Sequence, residues 1–240
     1  MRKTILLMSL FAAAFYAANA TAETIEFQGK VGANAYYADA INWIGEVAPT
    51  IDDDVVLDNS KLLDTKTHDL NLNVDGQAGS LTIIDNAANQ ISSVNGPKTF
   101  QIAGNLTRLE KNKTGTWFSI NSGGIWTGAT TPVGDAPLDL IIGGKVVVGE
   151  AADTQVAGSL PKTGGGMQFG GTGSPDSEAS WSRALNSLRI TGDIELYYTS
   201  TFILNVYNRN RNSSVENPDA IIGGVVKLIG TESTGDSSTS

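Results

Sequence analysis

Three short landmarks in the chain occur twice, in the same order. Phe100-Gln101-Ile102-Ala103-Gly104-Asn105-Leu106 matches Leu188-Arg189-Ile190-Thr191-Gly192-Asp193-Ile194 at every apolar position and at the glycine. Phe118-Ser119-Ile120-Asn121 returns as Phe202-Ile203-Leu204-Asn205, and Asp139-Leu140-Ile141-Ile142-Gly143-Gly144 as Asp219-Ala220-Ile221-Ile222-Gly223-Gly224. The offsets in numbering are 88, 84 and 80. Each unit holds several strand-and-turn pieces that cannot close a core alone, so units must stack on one another. That is the logic of a solenoid.

The pieces are strands. Val55-Val56-Leu57, Leu70 to Val74, Leu81 to Ile84, Phe100 to Ile102, Leu140 to Ile142, Val146 to Val148, Leu188 to Ile190 and Phe202 to Val206 are short apolar or alternating runs. Gly, Asn and Asp bound them, and period-2 alternation buries one face of each. The fold expected is all-β, a right-handed parallel β-helix. Its circuits would be roughly 20–30 residues long, about eight of them in some 40 Å. Gly and Asn would supply left-handed backbone at the corners. Ile102, Ile141, Ile190, Leu204 and Ile221 would point inward, and Gln101, Arg189 and Asn205 outward. The competing architecture is an antiparallel β-sandwich, because Asp75-Gly76 and Asn95-Gly96 suit hairpin turns. Ser174-Pro175-Asp176 with Ala179, Trp181, Ala184, Leu185 and Leu188 reads equally as a short helix or a polar excursion.

The segment 1–22 stands apart. Arg2 and Lys3 precede an apolar run from Ile5 to Tyr16, and Ala18-Asn19-Ala20-Thr21-Ala22 offers two overlapping Ala-x-Ala sites. That order is a secretory signal peptide, and the run falls short of the roughly 20 residues of a spanning helix. Cleavage before Glu23 leaves 14 basic against 25 acidic residues, a net charge of −11. No other run is long enough to span a bilayer. The expected organisation is signal peptide 1–22, amino-terminal cap 23–54, β-solenoid 55–230 and polar tail 231–240. The protein is then exported, to the cell surface, the medium or the periplasm.

Asn42-Trp43-Ile44-Gly45-Glu46-Val47-Ala48-Pro49, leading through Asp52-Asp53-Asp54 into Val55-Val56-Leu57, resembles the opening of large bacterial surface proteins with autotransporter-type β-helical passenger repeats. The Ser80-Leu81-Thr82-Ile83 and Gly104-Asn105-Leu106-Thr107 runs are similar to their coils. The likeness covers Phe27 to Leu106 and implies an exported β-helix without catalytic residues. One departure is the polar run Thr231 to Ser240, which contains no strands of a membrane barrel. It reads as a short secreted relative or as the front of a longer surface protein.

Composition narrows the chemistry. There is no cysteine, which excludes disulfides, thiol nucleophiles and cysteine metal sites, and a net charge of −9 opposes nucleic-acid binding. His68 is the lone imidazole, in a polar stretch without a nucleophile elbow, and reads as a loop residue. Asp52, Asp53 and Asp54 are weak candidates for a metal or an acid/base pair and read first as an acidic cap. Gly170 to Asp176 is one imperfect calcium-type repeat, and Leu160-Pro161-Lys162-Thr163-Gly164 is a coincidental sorting signal. Trp43, Trp117, Trp126 and Trp181, with Tyr197, Tyr198 and Tyr207, read mainly as core, with Trp126 in its glycine-rich turn the best sugar-stacking candidate. No catalytic residue and no cofactor is expected. The function read from the sequence is an exported, non-catalytic surface module, structural or adhesive, with glycans or cell-surface components as partners. The alternative is a carbohydrate-active protein, a β-helical lyase or hydrolase or a sugar-binding module.

Overall fold

The computed structural model describes residues 22–29, 35–63, 68–85, 88–110, 117–125, 133–149, 166–170, 184–197, 200–204, 206 and 220–229. The leader through Thr21, the tail 231–240, the calcium-like segment beyond Gly170, the sorting-like segment, Asn205, Trp126, Trp181, Tyr198 and Tyr207 lie outside them.

The chain passes through three sheets in turn and begins again. A first pass gives β1 (Thr24–Glu26) and β2 (Ala35–Tyr36); the next gives β3 (Asp54–Asp58), β4 (His68–Leu72) and β5 (Gly76–Ala78). Then come β6 (Ser80–Ile84), β7 (Ala88–Ser93) and β8 (Lys98–Ile102). The fourth pass holds β9 (Leu106–Leu109), β10 (Trp117–Asn121), a hairpin of β11 (Gly123–Ile125) and β12 (Val133–Ala136), and β13 (Leu138–Ile142). Then follow β14 (Val146–Val148), β15 (Gly166–Phe169) and β16 (Ser187–Ile190), and finally β17 (Ile194–Tyr197), β18 (Thr201–Leu204), β19 (Ala220–Ile222) and β20 (Val226–Ile229).

Strands stack in chain order. Sheet one is β1-β3-β6-β9-β14-β17-β20, sheet two β2-β4-β7-β10-β15-β18 and sheet three β5-β8-β13-β16-β19. Every pairing within them is parallel; among the described residues antiparallel pairing is confined to the β11–β12 hairpin and an isolated bridge between Phe27 and Trp43. The fold is therefore all-β and solenoid-like, and it is no antiparallel sandwich. Asn95 and Gly96 do take left-handed conformations, φ 59° and 97°, but the strands they join lie in different sheets. Seven strands in sheet one make a stack of about 29 Å. That is shorter than expected because the later circuits are longer. One ladder of sheet one runs through Ile25, Val55, Leu81, Leu106, Val146, Ile194 and Val226, so the chain travels much further on the two circuits that follow Leu106 than on those before it. The β11–β12 hairpin falls in the circuit from Leu106 to Val146.

Inward side chains form continuous ladders. Phe100, Leu140 and Leu188 share one, and Ile102, Ile142 and Ile190 the next, all at most 2% exposed. Ile141 is in register with Gln101, Arg189 and Ile221, so this ladder faces outward. The inward assignment of Ile141 and Ile221 is corrected accordingly: their neighbours Leu140, Ile142 and Ile222 take the core. Leu204 does continue the inward ladder of Ile120 and Phe169, yet it is 41% exposed. Its circuit is the last among the described residues. Val226 and Leu228, on inward ladders of sheet one, are likewise 56% and 80% exposed. The expected helix does not reach Leu188, since Leu185 bridges Val206 in parallel and Ser187–Ile190 is strand; residues 174–183 lie outside the described set.

The front end is closed by aromatics. Trp43 and Phe27 are fully buried and meet edge to face at 5.4 Å, and Tyr37 meets Trp43 at 5.5 Å. The indole N–H of Trp43 donates to Tyr37 O at 2.9 Å. Gly45 and Glu46, φ 91° and 56°, turn the chain behind it. β1 and β2, which lie between residues 23 and 54, already pair in parallel with β3 and β4. Inside the stack, Arg108 replaces an aliphatic residue between Ile83 and Val148 and is fully buried. Burial pushes its guanidinium down to about 10, against the pull of Glu110 and Asp85.

Corners between sheets three and one form a column of close backbone contacts. Gly79 N donates to Asp53 O, Gly104 N to Gly79 O, Gly144 N to Gly104 O and Gly192 N to Gly144 O, at 2.5–2.9 Å. None of the glycines of this column has a positive φ. Glycine is needed there for space, correcting the expected left-handed role: a Cβ on Gly104 or Gly192 would lie 2.7 Å from the carbonyl oxygen below. Alternate corners also differ. Asn105 Oδ1 accepts from Lys145 N at 2.9 Å, and Asp193 Oδ1 from Val225 N at 3.0 Å. Each side chain occupies the space that a Cβ on Gly144 or Gly224 would need. A corner ending in Asn or Asp is followed by a corner carrying two glycines, so the natural repeat is two circuits. The offsets seen in the sequence are this double step, because Phe100 registers through Leu140 with Leu188, Phe118 through Met167 with Phe202, and Leu140 through Leu188 with Ala220.

Candidate functional site

The outer faces of the three sheets differ in charge. Sheet one carries ion pairs: Lys61–Glu26 at 3.5 Å, Lys145–Glu195 at 2.9 Å and Lys227–Asp193 at 2.5 Å. Sheet three carries Asp139 and Arg189. Sheet two presents Tyr36, Asp69, Asn71, Gln90, Ser92, Trp117, Ser119, Asn121, Gly166, Gln168, Thr201 and Ile203 outward, alternating with the buried ladder. Among the described side chains of that face, Asp69 is the sole charge.

Its polar groups are joined across circuits. Gln90 Nε2 donates to Asp69 Oδ2 at 2.8 Å, and Asn121 Nδ2 donates to Gln90 Oε1 at 3.0 Å. Ser92 Oγ donates to Asn71 Oδ1 at 3.2 Å. One margin of the face, Asn71, Ser92 and Asn121, is buried. The other margin is open. There Trp117 is 43% exposed, because Phe118 takes the inward position and leaves the indole outside.

Carboxylates elsewhere are engaged in similar ties. Asp53 Oδ2 accepts from Thr50 N and Thr50 Oγ1, both at 2.7 Å, and Asp54 Oδ1 from Ser80 Oγ at 2.6 Å. Asp75 Oδ1 accepts from Thr99 N at 2.8 Å, and Asp139 Oδ1 from Asn186 Nδ2 at 2.8 Å. Among the described residues no three His, Asp or Glu side chains gather to hold a metal, Asp52, Asp53 and Asp54 included. His68 opens strand β4 instead of lying in a loop. Trp43 is cap, and the adjacent aromatics Trp117-Phe118 carried the overlooked signal, since neighbours in a strand face opposite ways.

A tyrosine and the Asp193–Lys227 pair also have shifted protonation. Burial pushes the Tyr37 hydroxyl up to about 12, partly offset by its bond with Gln77. The Lys227 ammonium, with the Val225 N–H, holds the Asp193 carboxyl below its usual value of 3.8. A depressed carboxylate pKa adds stability above the unfolded value and loses it as pH falls through the folded one. The Val225 amide should therefore lose hydrogen-exchange protection in acid, while the Lys145 amide, capped by the non-titrating Asn105, keeps its own. Asp193→Asn should flatten the Val225 profile. Equal acid sensitivity of both amides would dismiss this account.

No known protein family, curated protein or solved structure matches the chain. Among the described residues no helix is long and apolar enough to cross a membrane.

Proposed function

We propose that this protein is an exported right-handed parallel β-helix serving as a non-catalytic structural or adhesive module at the cell surface, with glycans or other surface components as partners. The right hand follows from the strong preference of parallel crossovers for it. One observation carries the reading. The carboxylates of Asp54, Asp69, Asp75, Asp139, Asp193 and Glu195 each bond to the neighbouring circuit. A general acid or base must be free to exchange its proton with a substrate. These groups tie circuits together, which suits a scaffold. The leader and the likeness of residues 27–106 to autotransporter-type passengers support export and surface display.

Expressed with its own leader in a bacterium, the protein should mature with Glu23, or less readily Thr21, at its amino terminus. Incubated with purified polysaccharides, it should release no new reducing ends, and His68→Ala should leave surface attachment intact. Cleavage by the wild type that vanishes on changing Asp52, Asp53 and Asp54 together to Asn would replace this reading with an enzyme.

A further inference from the structure

We propose that the open margin of sheet two is a binding site for a neutral glycan, with Trp117 as the stacking platform; this deepens the adhesive reading and rests on it. Trp117 is in register with Gly166 on the next strand. A Cβ on Gly166 would run into the indole atoms Cδ2, Cε3 and Cε2, the last at 2.7 Å. The indole therefore lies across the bare backbone of Gly166 with its far side toward solvent. Thr201, in register with Gly166 on the following strand, is exposed beside it.

Polar groups sit at sugar-sized spacing. Gln90 is in register with Ser119, two positions along from Trp117 and one strand back. That is about 7 Å along the strand and about 5 Å across, the span of one or two pyranose rings. Asp69 and Asn121 hold the Gln90 amide from either side. The Gln90 amide and the Asp69 carboxylate thus set a donor beside an acceptor. A hydroxyl group both donates and accepts, so it suits this pair.

Charge selects the ligand class further. Ionic side chains lie on sheets one and three, whereas Asp69 is the one charge among the described side chains of this face. With a net charge of −9, the protein repels acidic polysaccharides. A single exposed indole with half-buried Ile203 is too small a patch for an apolar protein partner. What fits is a chain of uncharged, hydroxyl-rich rings, stacked through their C–H faces.

The test is affinity electrophoresis of the mature protein through gels containing dextran, mannan or laminarin, with alginate as the acidic control. At least one neutral polysaccharide should retard the wild type, and alginate should not. Trp117→Ala should weaken that retardation about tenfold, the equivalent of one lost aromatic contact. Thr201→Lys, which keeps the indole but lays a long side chain over it, should do the same. Thermal melts of both variants should match the wild type. Retardation unchanged in both folded variants, stronger retardation by alginate, or none by any neutral polysaccharide would overturn the site. Loss of the site with maturation and surface attachment intact leaves the scaffold function standing; cleavage of a retained polysaccharide overturns the non-catalytic reading and leaves the site.

Discussion

Gly104→Ala is expected to destabilise the fold by about 1–3 kcal/mol, the range of an overpacked position. Its added Cβ would lie 2.7 Å from the Gly79 carbonyl oxygen, while the backbone bond between the same residues spans 2.5 Å. The two strands cannot part without losing that bond, and the column continues above through Gly144 and Gly192. The effect is purely one of space, because Gly104 has no positive φ. Gly96 provides the opposite case, with φ 97° and nothing within 4 Å of its Cβ position. Alanine there costs about 1 kcal/mol of backbone strain, and asparagine, which tolerates the left-handed region, recovers most of it. Asparagine at Gly104 recovers nothing. Urea melts of Gly104→Ala, Gly104→Asn, Gly96→Ala and Gly96→Asn measure all four. Rescue by asparagine at both sites would mean that Gly104 is conformational after all.

The same column explains what was and was not legible in the sequence. Each run named from alternation holds a strand, although β4 ends at Leu72, β18 at Leu204, and Asn205 lies outside the described residues; the ordered repeat predicted stacking correctly. The expected circuit length holds from Ile25 to Leu106 and fails beyond it, where the circuits are longer. At a one-circuit offset the apolar positions and Gly104 with Gly144 still match but Asn105 falls on Lys145; at two it falls on Asp193, which makes the equivalent bond. Insertions hide the single step further, since the circuits from Leu81 to Leu106, Leu106 to Val146 and Val146 to Ile194 grow in turn and share no fixed period. Only the corner chemistry keeps time.

Of the functional surface, the sequence pointed to a residue type and missed the position. Trp126 stood out for its glycine-rich surroundings, whereas the exposed indole among the described residues is Trp117. A strand segment Trp117-Phe118-Ser119-Ile120 must put one aromatic on each face. Which of the two faces out depends on the ladder. Phe118 registers with Met167 and Phe202, so it belongs to the core. The room for the indole is created by Gly166, which is remote from Trp117 in the chain and meets it only once the circuits are stacked. The amide tie from Asp69 through Gln90 to Asn121 is likewise drawn from three circuits and has no local signature.

Ile142→Asp should unfold the protein, whereas Ile141→Asp should change stability by no more than about 0.5 kcal/mol. Leu140-Ile141-Ile142 is a continuous apolar run, so alternation cannot say which members face the core. Register does. Ile142 lies between Ile102 and Ile190, all fully buried, and a carboxylate there would have to shed its hydration or take up a proton, at a cost of several kcal/mol. Ile141 lies between Gln101 and Arg189, both exposed, and an aspartate there gains Arg189 as an opposite charge on the adjacent strand. The pair is a stricter test than comparing distant sites, because the two residues share strand, length and side-chain type and differ only in the face they occupy. Thermal unfolding followed by circular dichroism reads both variants. If Ile141→Asp unfolds the chain and Ile142→Asp does not, sheet three is shifted by one residue, and the ladder that sets Gln101, Arg189 and Ile221 outward falls with it.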